Sequence, residues 1–425
     1  MSKQKIIAAI DIGSYKIATL VAQLSVDPMT YESSVNIIGA TSTPSKGVKK
    51  GQIVDIEDAV ESAIASVESA ERMAGYNLDR AFVSVGGAHI SSLNSTGVVA
   101  ISNPDGEISS DDVSRVIEAA RAISQPVSRE IIHVIPRQFI VDGEAGVKDP
   151  VGMSGVRLEV ETHIVTASNA AMKNLTKTIR EVGVDIEELV FTGLASSIAT
   201  LSDTEKELGC VVIDIGAGTT SIAAFVDGAL SYSATIPIGA RNVTNDLAIG
   251  LRVSLDTAED IKLKLSQKPK NKEAKENDQI EIADSASMDI KKVSKRTLME
   301  GIVKPRLNEI FTMVRLDLEK AGLINRVPSG AVITGGGAQT AGVLDSAKRI
   351  LTLPARIGEP TGVGGLVDDV LTPNFATAVG LILYAASGEI VDKPSGMGKK
   401  LPLPGGVNVT GPINKVIDLI RDLLP

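Results

Sequence analysis

CVVIDIGAGTTSIAAFV, at residues 210–226, repeats the pattern of KIIAAIDIGSYKIATLVAQ at residues 5–23. Each stretch has an apolar, β-rich run, then Asp-Ile-Gly, a small polar turn and a second apolar run, which predicts two strands joined as a hairpin. The motifs begin at Asp11 and Asp214, and the sequence between them differs, so this is a structural duplication and not a short-period repeat. We therefore expect two similar halves that face each other across a cleft.

A third glycine cluster, TGGGA at residues 334–338, follows an apolar run at residues 330–333. A strand that feeds a glycine turn opening a helix can hold the phosphate or sugar of a nucleotide. The sequence contains no GxxxxGK[ST] motif, and no convincing GxGxxG follows the first strand. Each glycine motif alone is most often a plain turn, but the three in this order predict a nucleotide-binding protein.

The two aspartates and the glycine turns suggest how a nucleotide would be held. An aspartate at the end of a buried strand is costly unless it is paired or solvated. Asp11 and Asp214 could face one Mg²⁺ through water, because this ion takes one or two carboxylates together with water and phosphate oxygens. Glycines let backbone N–H groups approach phosphates, and hydroxyl groups add donors. The predicted phosphate-binding residues are Gly13, Ser14, Tyr15, Lys16, Gly216, Ala217, Gly218, Thr219 and Thr220.

The composition limits which classes of protein this chain can belong to. The chain has 425 residues, of which 43% are hydrophobic and 22% charged, so it is globular and long enough for two to four domains. Its net charge of −9 argues against a non-specific nucleic-acid coat. The single cysteine, Cys210, excludes a disulfide framework and a zinc cluster. No segment has the roughly 20 apolar residues of a membrane span, and Asp11 interrupts the first apolar run, so we expect a cytoplasmic protein without a signal peptide.

Strand-like and helix-like segments mix throughout, which predicts an α/β protein. Four strand-like runs, the first at residues 81–85, and one helix at residues 111–123 predict a small domain inserted at about residues 83–163. Residues 266–294 are rich in both lysine and acidic residues, and we expect an exposed loop or excursion there. Residues 387–411 have the Gly, Pro and Lys content of a linker.

The three glycine motifs, in this order, resemble those of the actin-like ATPase superfamily. Residues 11–16 are similar to its first phosphate loop, residues 214–220 to its second, and residues 335–338 to its adenosine loop. The resemblance implies that ATP and Mg²⁺ are the ligands. It also implies an adenosine-binding set, which comprises Glu259, Lys262, Gly335, Gly336, Gly337 and Ala338.

Four further stretches resemble the FtsA family of bacterial division proteins: GVKKGQIVD at 47–55, VSVGGAHI at 83–90, IPRQFIVDG at 135–143 and GVKDPVGMSGVRLE at 146–159. The resemblance covers residues 5–388 and implies an actin-like two-lobed ATPase fold with an inserted SHS2-type subdomain called 1C. The implied division is subdomain 1A at 1–83, 164–205 and 371–388, 1C at 84–163, 2A at 206–242 and 322–370, 2B at 243–321, a flexible linker at 389–411 and an amphipathic membrane-targeting helix at 412–425.

Partners follow from the same resemblance. FtsA proteins polymerise and tie FtsZ filaments to the inner face of the cytoplasmic membrane at the division site, and their subdomain 2B receives the FtsZ C-terminal tail. Later division proteins are further expected partners, and nucleic acid is not. A pilus-assembly scaffold of the PilM type shares the core and the inserted subdomain, and it remains the alternative function.

The segment GLASSI at residues 193–198 bears on catalysis. Actin-like enzymes usually place a glutamine or an acid in this helix to orient the attacking water, and none is evident here. Ser196 and Ser197 are poor bases and are better explained as small packing residues. We therefore expect tight MgATP binding with slow hydrolysis. His133 and His163 lie in strand-like runs, where structural roles are more common than ligand roles.

The last segment of the chain has the spacing of an amphipathic helix. Its apolar residues fall on one face. They are Ile413, Val416, Ile417, Ile420, Leu423 and Leu424. This position matches the membrane-targeting helix of FtsA proteins, but its two basic and two acidic residues cancel, so lipid affinity per molecule should be low. The alternative is a helix that docks on its own body or on a partner.

Overall fold

The computed structural model describes residues 4–26, 33–267, 279–283, 290–366 and 368–390. The strands are β1 (Gln4–Ile12), β2 (Lys16–Val26), β3 (Ser33–Pro44), β4 (Val48–Lys49), β5 (Gln52–Ile53), β6 (Arg80–Val85), β7 (Ser91–Ala100), β8 (Arg129–Val141), β9 (Glu144–Val147), β10 (Arg157–Ser168), β11 (Asp185–Phe191), β12 (Cys210–Ile215), β13 (Thr220–Val226), β14 (Ala229–Ile236), β15 (Gln279–Ala283), β16 (Ile290–Ser294), β17 (Ala331–Thr334), β18 (Ala355–Ile357) and β19 (Gly364–Gly365). The helices are α1 (Ile56–Ala74), α2 (Ser110–Arg121), α3 (Asn169–Val182), α4 (Thr192–Thr200), α5 (Asp203–Leu208), α6 (Arg241–Leu251), α7 (Leu255–Ser266), α8 (Lys295–Leu298), α9 (Lys304–Lys320), α10 (Val343–Leu351) and α11 (Ala376–Ile390).

The first Asp-Ile-Gly motif belongs to a six-stranded sheet with the order β11-β6-β1-β2-β3-β19. Strands β1 and β2 form the predicted hairpin, with Asp11 opposite Ala18. Strand β6 runs parallel to β1 and brings Ser84 next to Asp11. Helix α1 covers this sheet with its small residues, begins at the N-cap Asp55 and ends at Gly75 in the left-handed conformation.

The second motif belongs to a five-stranded sheet with the order β14-β13-β12-β17-β18. Strands β12 and β13 form the second predicted hairpin, with Asp214 opposite Ser221. Strand β17 runs parallel to β12 and places Thr334 beside Asp214. The third glycine cluster therefore follows a strand that is adjacent to the second Asp-Ile-Gly motif.

Helices α4 and α11 connect the two sheets. Helix α11 packs on β1 and β2, α4 packs on β12 and β13, and the two helices contact each other. The 12-residue apolar run at residues 375–386 is too short for a membrane span and predicts a buried helix, which α11 confirms. Ser197 of α4 is fully buried and its hydroxyl donates to the Leu194 carbonyl oxygen at 2.7 Å, as a packing residue does. Ser196 is also fully buried, but its hydroxyl hydrogen-bonds the Asp214 carboxylate, so its role is not packing alone.

The insertion forms a four-stranded sheet with the order β7-β10-β8-β9, covered on one face by α2. A capping box formed by Ser109 and Asp112 begins this helix. The assignment of residues 81–85 to the insertion was wrong, since β6 pairs in the large sheet and β9 supplies the fourth strand. The reason is that β6 continues the buried parallel core, whereas the inserted sheet is antiparallel throughout.

The inserted sheet also contacts β14, the edge strand of the second sheet. The His163 ring bonds Asn94 Oδ1 through Nδ1 at 2.8 Å and Ser233 Oγ through Nε2 at 2.9 Å. Ser92 Oγ donates to the Ser233 carbonyl oxygen at 2.7 Å. His163 is thus a structural residue that ties the insertion to the second half, and burial holds its pKa down to about 3.

This buried histidine predicts a pH dependence of stability. The folded protein keeps His163 neutral, while the unfolded chain takes up a proton below its usual pKa of 6.5. The titration of this histidine therefore leaves the free energy of unfolding unaffected above pH 6.5. Below that pH the free energy of unfolding falls with acidification, by up to about 1.4 kcal/mol per pH unit, because only the unfolded chain gains the proton. Urea unfolding at about pH 7.5 and about pH 5.5 should therefore show a smaller loss of stability for His163→Gln than for the unaltered protein. Equal losses in the two proteins would contradict this assignment.

Two predicted segments fall partly or wholly outside the described residues. Within 266–294, where a loop was expected, β15 and β16 pair antiparallel, and residues 268–278 and 284–289 lie outside the described ranges. Of the two expected forms, a loop or an excursion, the described part has the second, because it is a β-hairpin. Helix α8 leads into α9 through a π-helical turn at Met299–Val303. The linker from residue 391 onward and the amphipathic segment at 412–425 also lie outside.

Candidate nucleotide-binding site

A cleft of about 400 Å³ lies between the two sheets. It is lined by the turns of both Asp-Ile-Gly hairpins, by the third glycine cluster, by α6 and α7, and by the start of α11. The structure brings together most of the predicted site. The predicted residues that line the cleft are Asp11, Gly13, Ser14, Tyr15, Lys16, Asp214, Gly216, Ala217, Gly218, Thr219, Glu259, Lys262, Gly335, Gly336 and Gly337.

Two predicted residues do not line the cleft. Thr220 is fully buried as the first residue of β13, and its hydroxyl donates to the Ile238 carbonyl oxygen at 2.8 Å. Ala338 is buried behind the glycine turn, which continues as a single 3₁₀ turn at Gly336–Gln339. The Thr220 hydroxyl is satisfied within the fold, and the Ala338 side chain packs into the core of the second half, so neither side chain faces the cleft. Nucleotide binding by these two residues stays a prediction.

The two aspartates lie in the same cleft and influence each other. Ser84 Oγ donates to Asp11 Oδ1 at 2.7 Å, and Thr377 Oγ1 donates to Asp214 Oδ2 at 2.9 Å. Burial raises the pKa of Asp214 to about 6, which the Thr377 hydrogen bond opposes and the Asp11 charge reinforces. Burial likewise raises the pKa of Asp11, against the Ser84 hydrogen bond and the Lys16 charge. Two buried carboxylates that disfavour each other's charge are suited to a divalent cation.

Lys16 supplies a buried positive charge to the cleft. Its Nζ atom is buried and has no hydrogen-bond partner among the described residues. It lies 3.4 Å from the centre of the Phe375 ring. Burial lowers the pKa of Lys16 to about 8, while the Asp11 charge raises it. The three N–H donors of this ammonium are therefore available to an anion.

The two hairpin turns approach each other closely. The Gly51 N–H donates to Ser14 Oγ at 2.9 Å, so this hydroxyl accepts a bond within the fold as well as lining the cleft. A Cβ on Gly218 would lie 3.0 Å from Ser14 Oγ and 3.1 Å from Lys50 Cα. Gly335 has φ +80°, and a Cβ there would lie 2.2 Å from Asp214 Oδ1. Glycine is needed at these positions because the loops approach each other too closely for a Cβ atom. The absence of a side chain also leaves the backbone N–H groups accessible to a ligand.

Glu259 and Lys262 are paired in α7 at the other side of the cleft. Lys262 Nζ donates to Glu259 Oε2 at 2.7 Å, and the Thr244 hydroxyl donates to the same carboxylate at 2.5 Å. Lys262 also donates to Thr244 Oγ1 at 3.1 Å. Leu255 and Leu263 flank this pair with about half of their surface exposed, and both line the cleft. This side thus combines polar groups with apolar surface, as the base and sugar of a nucleoside require.

Sequence reasoning missed several residues of the cleft. Thr377 lines the cleft, while Phe375 and Ser84 lie behind it and contact the lining residues Lys16 and Asp11. All three come from segments that lie far along the chain, and no local pattern distinguishes them. Arg241, the first residue of α6, also lines the cleft, and its N–H donates to the Ala217 carbonyl oxygen at 2.9 Å. Arg241 could have been predicted from sequence as an anion-binding residue, because it is a basic residue at a helix N-terminus, five residues after β14.

The residues present fit a magnesium nucleotide. The cleft offers an ammonium without a hydrogen-bond partner, two buried carboxylates, close-packed glycine turns and an apolar side. Within the described ranges, no group of three or more His, Cys, Asp and Glu could hold a metal ion. A magnesium ion here would accordingly rely on the two carboxylates, water and phosphate oxygens together, which is its usual environment.

Two family profiles match the chain. One, described as the SHS2 domain inserted in FTSA, matches residues 87–166, and the other, Cell division protein FtsA, matches residues 211–380. The chain is 38% identical to the Cell division protein FtsA of Pseudomonas aeruginosa over 89% of each chain. It is 38% identical to that of Bacillus subtilis over 91% of this chain and 84% of that one. It is 33% identical to that of Escherichia coli K12 over 91% and 92%.

Solved structures show the same fold at low identity. A PilM-PilN type IV pilus biogenesis complex aligns with TM-score 0.61 and 16% identity, covering 89% of this chain and 98% of that one. MreB5 of Spiroplasma citri bound to ADP aligns with TM-score 0.52 and 14% identity, covering 89% and 96%. The fold is therefore the actin-like one. Among the described helices, none combines the length and the apolar character that a membrane span requires.

Proposed function

Because this chain belongs to the family of the cell division protein FtsA, we propose that it is an actin-like ATP-binding protein that polymerises and anchors FtsZ filaments to the cytoplasmic membrane during division. The observation that carries the proposal is family membership over about nine-tenths of the chain combined with a cleft whose residues fit a magnesium nucleotide. The pilus-scaffold alternative has the support of the shared fold alone.

In this proposal the cleft binds ATP with Mg²⁺. Asp11 and Asp214 hold the ion through water, and the ion offsets the charge of the phosphates. The two hairpin turns and Lys16 take the phosphates, while the third glycine cluster and the pair of Glu259 and Lys262 take the adenosine. Support comes from the common cleft that these residues line and from the unpaired ammonium within it.

Hydrolysis is proposed to be slow, so that the nucleotide acts mainly as a structural ligand. Helix α4, at residues 192–200, has no glutamine or acid. A ligand that contacts both halves stabilises the arrangement in which they are close, and this favours assembly into filaments. Phosphate release from the full chain with MgATP should then be much slower than nucleotide exchange. Release as fast as exchange would contradict the structural role.

The proposed partners are further copies of this chain, the FtsZ C-terminal tail through residues 243–321, and later division proteins. The actin-like neighbours include a MamK double helical filament, which supports self-assembly for this chain. The proposed location is the inner face of the cytoplasmic membrane at the division site.

The proposed membrane contact is the apolar face of the C-terminal segment. Its neutral charge predicts weak binding by each molecule, with filament avidity supplying retention. With MgATP and vesicles that contain anionic lipid, we expect the full chain to sediment with lipid and to carry FtsZ with it. A chain ending at Gly411 should remain in the supernatant.

Point variants sharpen this experiment. Replacing Ile417 and Ile420 by aspartate places charge on the apolar face and should abolish sedimentation. Asp418→Asn, on the polar face, should bind vesicles at least as well as the unaltered chain. If the full chain and the chain ending at Gly411 both stay in the supernatant, the segment docks on protein and the membrane proposal fails.

A further inference from the structure

The start of the last helix is attached to the second hairpin and to the third glycine cluster. The Gly335 N–H donates to the Pro373 carbonyl oxygen at 3.0 Å. Thr377 donates to Asp214 at 2.9 Å. Gln339 Nε2 donates to Asn374 Oδ1 at 3.3 Å. These contacts fix the turn at Pro373–Phe375 against two of the glycine-containing loops of the cleft.

Phe375, in the same turn, makes the contact with the first hairpin. Its ring centre lies 3.4 Å from Lys16 Nζ, and the residue is only 8% exposed. Pro373, Asn374 and Thr377 line the cleft, whereas Phe375 is not among its lining residues. Phe375 therefore lies behind Lys16 and does not itself face a ligand.

A ring holds an ammonium in a way that suits anion binding. The face of an aromatic ring attracts a cation electrostatically, by more when the pair is removed from water. Unlike a carboxylate, the ring does not neutralise the charge. It also needs only one side of the ammonium, so N–H donors remain for another partner. A lysine side chain that is already ordered loses less conformational entropy when a ligand binds.

We propose that Phe375 is a positioning residue of the nucleotide site, whose ring holds the Lys16 ammonium at the wall of the cleft for a phosphate. This proposal rests on the proposed nucleotide-binding function. It predicts that Phe375 contributes to ATP affinity through Lys16 and through no other route. The aromatic face, and not merely the volume of the side chain, is the property that matters.

The test is a double-mutant cycle on ATP affinity, measured with the full chain and MgATP. Phe375→Leu should weaken binding by about tenfold, the size expected for a desolvated cation–aromatic contact. Phe375→Tyr keeps the aromatic face and should stay within about twofold of the unaltered protein. In the Lys16→Met background, Phe375→Leu should change affinity by no more than about twofold, because its partner is gone.

A matched control separates positioning from packing. Phe82 is 7% exposed in the same core, and the centre of its ring lies 6.2 Å from that of Tyr384 in an edge-to-face arrangement. Phe82 does not line the cleft. Phe82→Leu should lower stability without changing ATP affinity. Urea unfolding identifies variants that do not fold, and Phe375→Met replaces Phe375→Leu in the same cycle if the leucine variant is one of them.

Three outcomes overturn the proposal. Unaltered affinity in Phe375→Leu would show that the ring does not position Lys16. An equal loss from Phe375→Leu with and without Lys16 would assign the effect to packing. If Phe375→Tyr lost as much ATP affinity as Phe375→Leu, the aromatic face would not be what holds Lys16. Absence of ATP binding by the unaltered chain is a different result, since it overturns the proposed function itself.

Discussion

Replacing Lys16 by methionine is expected to weaken ATP binding on the order of a hundredfold, the size of a lost hydrogen bond between charged groups. The ammonium is buried in the cleft, and no described residue accepts a hydrogen bond from it. Methionine keeps most of the length of the side chain and removes its charge. The two buried carboxylates would then face the phosphates without this cation. Titration of the full chain with a fluorescent ATP analogue and Mg²⁺ measures the change.

Lys5→Met is the matched control for this variant. Lys5 lies on the same strand, β1, but near its beginning, is exposed and does not line the cleft. It should bind ATP with unaltered affinity. If Lys16→Met binds as tightly as Lys5→Met, the cleft does not use this ammonium for phosphate, and the assignment of the first phosphate loop is wrong.

Gly380→Ala is expected to destabilise the protein by about 3 kcal/mol or to prevent folding, since overpacking of this kind costs up to several kcal/mol. A Cβ at this position would lie 1.8 Å from the Ala195 carbonyl oxygen and 2.4 Å from its carbonyl carbon. The contact is where α11 crosses α4, the helix pair that joins the two sheets. Backbone atoms of a packed helix cannot move aside cheaply. Urea unfolding measures the loss.

Gly388→Ala is a matched control in the same helix. A Cβ there would have nothing within 4 Å. Alanine is a better helix former than glycine by about 0.5–1 kcal/mol, so this variant should be as stable as the unaltered protein or slightly more stable. Equal effects of the two substitutions would mean that the helices do not cross closely at Gly380.

The hairpins were predictable from sequence because they are local. Each Asp-Ile-Gly turn joins strands that are neighbours along the chain, and alternation of apolar runs with turn residues is enough to place them. Helix α1 is predictable for the same reason, since Val60, Ile64, Val67 and Ala70 recur at three-to-four spacing and a glycine ends it.

The inserted domain was harder to delimit. Strand β6 is a six-residue run that carries no local mark of the sheet to which it belongs, and its parallel pairing with β1 and β11 assigns it to the large sheet. Parallel partners come from distant segments, so a local pattern cannot reveal them. Strand β9, with four residues, is too short for its alternation to be recognised.

The same difference between local patterns and distant contacts decides which residues of the candidate site could be predicted. The glycine loops and their aspartates carry a motif and were found. Thr220 belongs to that motif by position, yet its hydroxyl points into the fold. Thr377 and Phe375 lie about 160 and 360 residues from Asp214 and Lys16, and only the crossing of α11 beneath the cleft brings them together. Residues that act through another residue therefore become visible only in the structure.

Calorimetric titration of the full chain with ATP and Mg²⁺ determines whether the cleft between the two sheets binds MgATP. We expect saturable binding of one ATP per chain, with an affinity that falls when Mg²⁺ is chelated and falls again in Asp214→Asn. Asp227 is an exposed aspartate directly after the end of β13, and Asp227→Asn should leave the ATP affinity unchanged both with Mg²⁺ and with Mg²⁺ chelated. Absence of ATP binding at millimolar concentration, or binding that is indifferent to both Mg²⁺ and Asp214, would show that the cleft is not a magnesium-nucleotide site.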